Sequence, residues 1–266
     1  MPSYKRLLTA SAKGGVGKST TAVGLAHAFA SSGSRVLLID LDCTGRCLDI
    51  LTDCSSALFH FGDVVTGTDP SDAAAKEPGG SKNLSLIAAC TTDDLAEAAK
   101  RNGTDERTAV RAGLERIFET DEYDIIIADT GGGITAAEYC ADMFDMILVT
   151  SEQSKTSVRA AEYAAGKFSE LTQGAIRLVI CSFDLSAVKR ENRAGIIEMI
   201  DASSIPCIGV VPYDKTLQKN QDSGRIPPKK SLSQKAYTNI AERIRGNEVP
   251  LFYKMKELYR KRNAAL

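Results

Sequence analysis

The chain has no tryptophan and only two histidines among its 266 residues. Neither His27 nor His60 has a carboxylate or cysteine at a telling spacing, so no catalytic or metal-ligating role is assigned to either. An excess of either charge is also missing: 33 Lys and Arg face 34 Asp and Glu, a formal net charge of −1. There is no global field to gather nucleic acid, which leaves local patches as the only electrostatic route to a polyanion. No apolar run approaches the roughly 20 residues that span a bilayer. The opening MPSYKRLLTASAKGG lacks the apolar stretch of a signal peptide. A cytoplasmic chain is expected.

The seven cysteines (43, 47, 54, 90, 140, 181 and 207) are odd in number and include no C-x-x-C pair. That is unlike a secreted disulfide framework and predicts reduced thiols. Cys43 and Cys47 have a metal-compatible spacing, but no second pair completes a four-ligand site. Small buried hydrophobes are the plainer reading for most of them.

What is present is an ordinary globular balance, 43% apolar and 25% charged residues. Short apolar runs at 6–11, 35–40, 84–89, 123–130, 146–150, 176–183 and 207–213 read as strands, several of them apolar on both faces. Helical patterns fall between them, at 18–32, 93–101, 105–120, 134–142, 156–172 and 189–202, then at 214–222 and 233–245. This alternation predicts an α/β fold, a doubly wound and mostly parallel sheet with helices on both faces. The Gly-, Pro- and Ser-rich segment 66–83 is expected to be a surface insertion.

Between the first strand and the first helix lies Ala12-Lys13-Gly14-Gly15-Val16-Gly17-Lys18-Ser19, followed by Thr20. The spacing is that of a phosphate-binding loop, with Ala12 replacing the first glycine. Its glycines let backbone N–H groups turn onto phosphate oxygens, and the helix N-terminus adds positive character. Lys18 is expected to reach the β- and γ-phosphates and Ser19 to ligate Mg²⁺. A glycine-rich turn before an ordinary helix is the alternative, and Gly-Lys-Ser in this strand–loop–helix setting argues against it.

The second lysine, Lys13, gives the loop a closer likeness. KGGVGKST resembles the deviant Walker A loop of the MinD/ParA ATPases, and the resemblance extends over about residues 5–245, toward the MinD branch. In that family the added lysine crosses a dimer interface to the partner's nucleotide, a cation supplied in trans to phosphoryl transfer. The resemblance implies that role for Lys13, against the plain alternative of a solvated loop lysine. LLIDLDCTGRCLDIL (37–51) is similar to the family's switch region, which implies that Asp40 organises Mg²⁺ and Asp42 orients the attacking water. Helix capping is the alternative for one of the two. YDIIIADTGGGI (123–134) implies Asp129 as the second metal-side carboxylate, with Thr130–Gly133 where the family has a proline-containing switch. The adenine is expected against Pro212, Tyr213 and Asp214, and against Ser182–Asp184.

The C-terminal NEVPLFYKMKELYRKRNAAL places apolar residues at 251, 252, 255, 258 and 259 among basic ones. That predicts a basic amphipathic helix over 251–266, separate from an ATPase domain over 1–246. It would meet an anionic membrane, pack on its own sheet, or dock a protein partner. By resemblance the chain would bind ATP with Mg²⁺, form a homodimer, attach peripherally to the inner face of the cell membrane and hydrolyse ATP slowly, stimulated by dimerisation and a partner. It would position the division site with a MinC-like inhibitor and a MinE-like or DivIVA-linked regulator. A ParA-like or flagellar- or pilus-positioning ATPase acting on DNA or a polar complex is the rival, with nucleic acid the less favoured partner. A metallocluster carrier is disfavoured by the cysteine spacing.

Overall fold

The computed structural model describes residues 4–54, 57–190, 193–221, 223–256 and 258. Its strands are β1 (Arg6–Ala10), β2 (Val36–Asp40), β3 (Ala75–Lys76), β4 (Leu84–Ile87), β5 (Ile125–Asp129), β6 (Met146–Ser151), β7 (Ala175–Phe183) and β8 (Cys207–Pro212). They form one eight-stranded sheet in the order β3-β4-β2-β5-β1-β6-β7-β8. Every pairing is parallel except β3 with β4. All residues of β2, β5 and β6 are buried, as strands covered on both faces must be.

The central helix Lys18–Ser31 follows the phosphate loop and packs beside Leu232–Ile244. Their close approach depends on Gly24, where a Cβ would strike the ring of buried Tyr237. Helices Glu106–Glu119 and Lys155–Leu171 start at Asp105 and Ser154, whose side chains accept the N–H groups of Thr108 and Ser157.

Four expectations are corrected. Segment 66–83 is not a plain insertion: it contains helix Pro70–Ala73 and β3, which caps the sheet edge, and Ala73, Ala74 and Pro78 are buried. The helix expected over 134–142 is broken into Thr135–Glu138 and a 3₁₀ turn, Ala141–Met143. The one expected over 189–202 becomes Leu185–Arg190 and Ile196–Ser203, with 191–192 outside the described residues. The amphipathic helix does not begin at 251. Residues 251–254 are turns, and Phe252 and Met255 are each only 2% exposed, inserted into the core. Arg243 fixes this segment by donating from Nε to Val249 O at 2.8 Å and from Nη2 to Pro250 O at 2.7 Å. Asn239 Nδ2 donates to Tyr253 O at 2.9 Å. The early half of the apolar stripe therefore faces the protein's own core. Residues 257 and 259–266 lie outside the described residues. Among the described residues no helix is long and apolar enough to cross a membrane.

Candidate nucleotide and metal site

Parallel register sets Thr9 of β1 beside Asp129 of β5, and Asp129 beside Asp40 of β2. Three polar side chains thus collect at the carboxyl ends of otherwise apolar strands, where open α/β sheets bind ligands. Thr9 Oγ1 donates to Asp129 Oδ1 at 2.6 Å. Asp129 Oδ2 is buried and has no hydrogen-bond partner. Asp40 accepts the N–H of Asp42 on Oδ1 at 2.9 Å and of Leu48 on Oδ2 at 3.1 Å.

Burial raises both carboxyls. Asp40 is pushed up to about 7; the Leu48 and Asp42 N–H bonds oppose the rise and the neighbouring Asp129 adds to it. Asp129 is pushed up to about 6, and the hydroxyls of Ser19 and Thr9 and the charge of Lys18 hold it back. Two buried carboxyls in contact are costly without a cation. An orphaned carboxylate oxygen close to a serine hydroxyl is a donor set suited to a hard, oxygen-seeking divalent ion. Ser19, Asp40 and Asp129 therefore fit Mg²⁺.

The loop ahead of helix Lys18–Ser31 turns through Gly15 and Gly17, at φ +74° and +89°, where side chains are strained. A Cβ on Gly17 would also press on Cys181 at 3.1 Å. Ser11 stiffens the loop, its Oγ accepting Lys13 N–H and donating to Lys13 O, both at 3.0 Å. A cleft of about 550 Å³ opens above it, of a size for a small-molecule ligand. Gly15, Gly17, Lys18, Ser19 and Thr20 line its floor. Val16 is instead buried, and Gly14 is exposed at the loop's outer edge.

Pro212, Tyr213 and Asp214 line the opposite wall as expected, and so does Ser182. Asp214 is not free to recognise a base. Its Oδ2 accepts Ser233 N–H at 3.0 Å and Ser233 Oγ at 2.7 Å, and its Oδ1 accepts Thr216 N–H at 2.9 Å. Asp184 likewise caps Ser186 and does not line the cleft. Gln218 and Gln221, one helical turn apart, do line it, as does the Tyr237 ring. The sequence reading missed all three; the i, i+3 spacing of the glutamines was the available signal.

Asp42 Oδ1 accepts the N–H groups of Thr44 at 3.1 Å and Gly45 at 2.7 Å. The carboxylate expected to orient water thus closes its own loop in this structure, and it lies against Gly131 of the 130–133 segment. That segment touches the phosphate loop through a Ser11–Gly133 backbone bridge. Lys13 does not line the cleft. Its Nζ turns to the start of helix Lys155–Leu171 and donates to Ser157 Oγ at 2.9 Å, Thr156 Oγ1 at 3.2 Å and Ser154 Oγ at 3.4 Å. Among the described residues no three His, Cys, Asp or Glu side chains gather as a metal-binding group around Cys43 and Cys47.

Known proteins share this fold. The septum site-determining protein MinD of Buchnera aphidicola (Schizaphis graminum) is 26% identical over 255 residues, covering 90% of each chain. The MinC:MinD cell division protein complex of Aquifex aeolicus contains a chain with the same fold at a TM-score of 0.81 and 23% identity, covering 93% of this chain and 98% of that one. MinD of Pyrococcus horikoshii, complexed with Mg-ADP, matches at a TM-score of 0.72 and 18% identity, covering 90% and 95%. The model of the CobQ/CobB/MinD/ParA nucleotide binding domain matches residues 7–227, and with this fold and this loop the chain belongs to that nucleotide-binding family.

Proposed function

We propose that the chain is a MinD-type ATPase that dimerises on Mg·ATP, attaches to an anionic membrane surface and takes part in positioning the division site. The observation that carries this reading is the division of labour between two lysines. Lys18 is buried at the floor of the cleft, whereas Lys13 stands outside it on the same loop. A cation that does not line its own cleft is available to another once it leaves the hydroxyls that hold it.

Lys18 and the backbone N–H groups of the loop hold the phosphates. Ser19, Asp40 and Asp129 hold Mg²⁺, which supplies charge neutralisation to the phosphates. Asp42 orients the attacking water after exchanging its bonds to Thr44 and Gly45. Lys13 of each protomer leaves its hydroxyl seat and neutralises charge at the partner's phosphates. Residues 1–246 form the ATPase domain. Of the segment 247–266, the part beyond Leu258 is left to meet a membrane, because Phe252 and Met255 are committed to the core and Leu258 packs against it. Two such segments on one dimer bind with avidity, so ATP controls attachment. A MinC-like inhibitor is the partner class, with a MinE-like or DivIVA-linked regulator stimulating the slow turnover. The working place is the inner face of the cell membrane.

Sedimentation of the full chain in Mg·ATP and in Mg·ADP, with and without anionic liposomes, tests the reading. A dimer that forms and pellets with liposomes only in ATP is expected. A monomer in both nucleotides removes the role of Lys13. A dimer that ignores liposomes and retains DNA moves the chain to the ParA-like function.

A further inference from the structure

The loop that holds Asp42 has a second neighbour besides the 130–133 segment. Cys43, adjacent to Asp42, places its Sγ 3.8 Å from the Sγ of Cys90. Cys90 sits just after β4 and is fully buried. Its surroundings are rigid: a Cβ on Gly62 would lie 3.3 Å from Cys90 Cβ, and the adjacent Phe61 N–H bonds to Ala88 O at 2.9 Å. Cys43 is half-buried, and residues 44–46 beside it are exposed. One thiol is thus anchored in the core and the other, half-buried, rides on the Asp42 loop. A disulfide needs its sulfurs about 2.0 Å apart. A rotation of the Cys43 side chain with a small loop movement covers the difference.

We propose that Cys43 and Cys90 form a reversible redox latch that locks the Asp42 loop. The oxidant class is a peroxide. Hydrogen peroxide converts one thiol to sulfenic acid and is itself reduced, releasing one water. The second thiol attacks the sulfenic sulfur, the S–S bond forms, the S–OH bond breaks and a second water leaves. The two cysteines lose two electrons and two protons in all, and the peroxide is reduced to two waters. A dithiol reductant reverses the step by thiol–disulfide exchange.

The consequence for catalysis rests on the proposed ATPase reading. Asp42 reaches a water-orienting position only if the loop exchanges its internal bonds to Thr44 and Gly45. A covalent tie at residue 43 to the end of β4 prevents that exchange. The phosphate loop itself is untouched, so nucleotide still binds while turnover stops.

The test treats the reduced full-length protein with hydrogen peroxide. It follows the Cys43–Cys90 linkage by non-reducing peptide mapping, the loop amides 43–47 by hydrogen exchange, and ATP turnover in parallel. The linked peptide, slower amide exchange and a fall in turnover of about tenfold or more are expected, with nucleotide affinity retained and all three changes reversed by dithiothreitol. Cys43→Ser, on the exposed loop, is expected to fold normally, form no link and keep its turnover under peroxide. Failure to find the linked peptide overturns the latch. A linked peptide with unchanged loop exchange also overturns it, whatever the turnover. If the reduced protein hydrolyses no ATP, the ATPase reading fails, and the linkage and exchange measurements still decide the latch.

Discussion

Lys13 Nζ and Ser157 Oγ lie 2.9 Å apart although 144 residues separate them in sequence. The contact parks the loop's outer lysine at the N-terminus of a 17-residue helix. A helix N-terminus carries partial positive charge and disfavours a cation; here three hydroxyl oxygens offset that cost. The seat therefore holds Lys13 only modestly. A hydrogen bond to a charged group contributes about 1.5–3 kcal/mol. Ser157→Ala is expected to make ATP-dependent dimerisation about tenfold more favourable, while Lys13→Ala binds nucleotide and stays monomeric. Sedimentation equilibrium in Mg·ATP reads both. A dimer constant unchanged by Ser157→Ala would show that the seat does not restrain Lys13.

Gly131 offers a way to move Asp42 without altering its chemistry. A Cβ at 131 would lie 2.8 Å from Asp42 Oδ1 and 3.1 Å from its Cγ. The methyl of Gly131→Ala must therefore push the carboxylate aside. On the proposed reading Asp42 must exchange its bonds to Thr44 and Gly45 to orient water, and a methyl wedged against it obstructs that exchange; a misplaced catalytic group costs on the order of tenfold or more in rate. Turnover is expected to fall by that factor with nucleotide affinity unchanged, because the atoms nearest a Cβ at 131 all belong to Asp42 and residue 131 does not line the cleft. Parallel measurement of kcat and of the Kd for a fluorescent nucleotide separates the two effects; a weakened Kd would mean that Gly131 shapes the cleft instead.

The strands were legible because an apolar run of four or more residues with no polar alternation has few other uses in a chain of this size. β3 was not legible: two residues, Ala75 and Lys76, carry no period, and only the neighbouring edge of β4 makes them a strand. The phosphate loop was legible because its chemistry is local and needs glycines at fixed spacing. Thr9 was missed because its partnership with Asp129 depends on strand register across about 120 residues. The sequence singled out Asp42 and Asp214, but not the bonds that hold them. Hydrogen bonds to Thr44, Gly45, Thr216 and Ser233 occupy them, and a spacing pattern does not show whether a carboxylate is spoken for.

Asp40 and Asp129 make the metal-free protein sensitive to pH. Their folded values, about 7 and about 6, stand above the ordinary 3.8 because burial disfavours the charged form. Between those limits the folded state binds more protons than the unfolded one. The stability these two carboxyls contribute is therefore fully present below the ordinary value and is lost as pH rises toward 7. With chelator present, the Tm is expected to fall over that window, and Asp40→Asn is expected to flatten the slope. Mg·ATP reverses the preference, because a divalent ion favours both carboxylates charged. The stabilisation by Mg·ATP is accordingly expected to grow with pH up to about 7, which a series of thermal melts reads directly. A chelated wild type whose Tm rises over the same window would contradict the assignment.

The C-terminal segment separates two functions that a simple truncation would confuse. Phe252 and Met255 are core residues, and emptying such positions costs about 2–5 kcal/mol each. A chain ending at Pro250 loses both and is expected to melt well below the full chain, so its failure to bind liposomes would say nothing about membranes. A chain ending at Leu258 keeps both, together with the packed Leu258 and the Asn239 bond to Tyr253. It is expected to melt within a few degrees of the full chain and to dimerise normally in Mg·ATP, yet to lose sedimentation with anionic liposomes. Phe252→Ala is expected to do the opposite, lowering the Tm while leaving liposome binding intact at a temperature where it remains folded. If the chain ending at Leu258 still pellets with liposomes, the membrane contact lies elsewhere on the molecule. If Phe252→Ala abolishes pelleting while folded, Phe252 must leave the core to meet the lipid, and the segment is a released anchor rather than a fixed one.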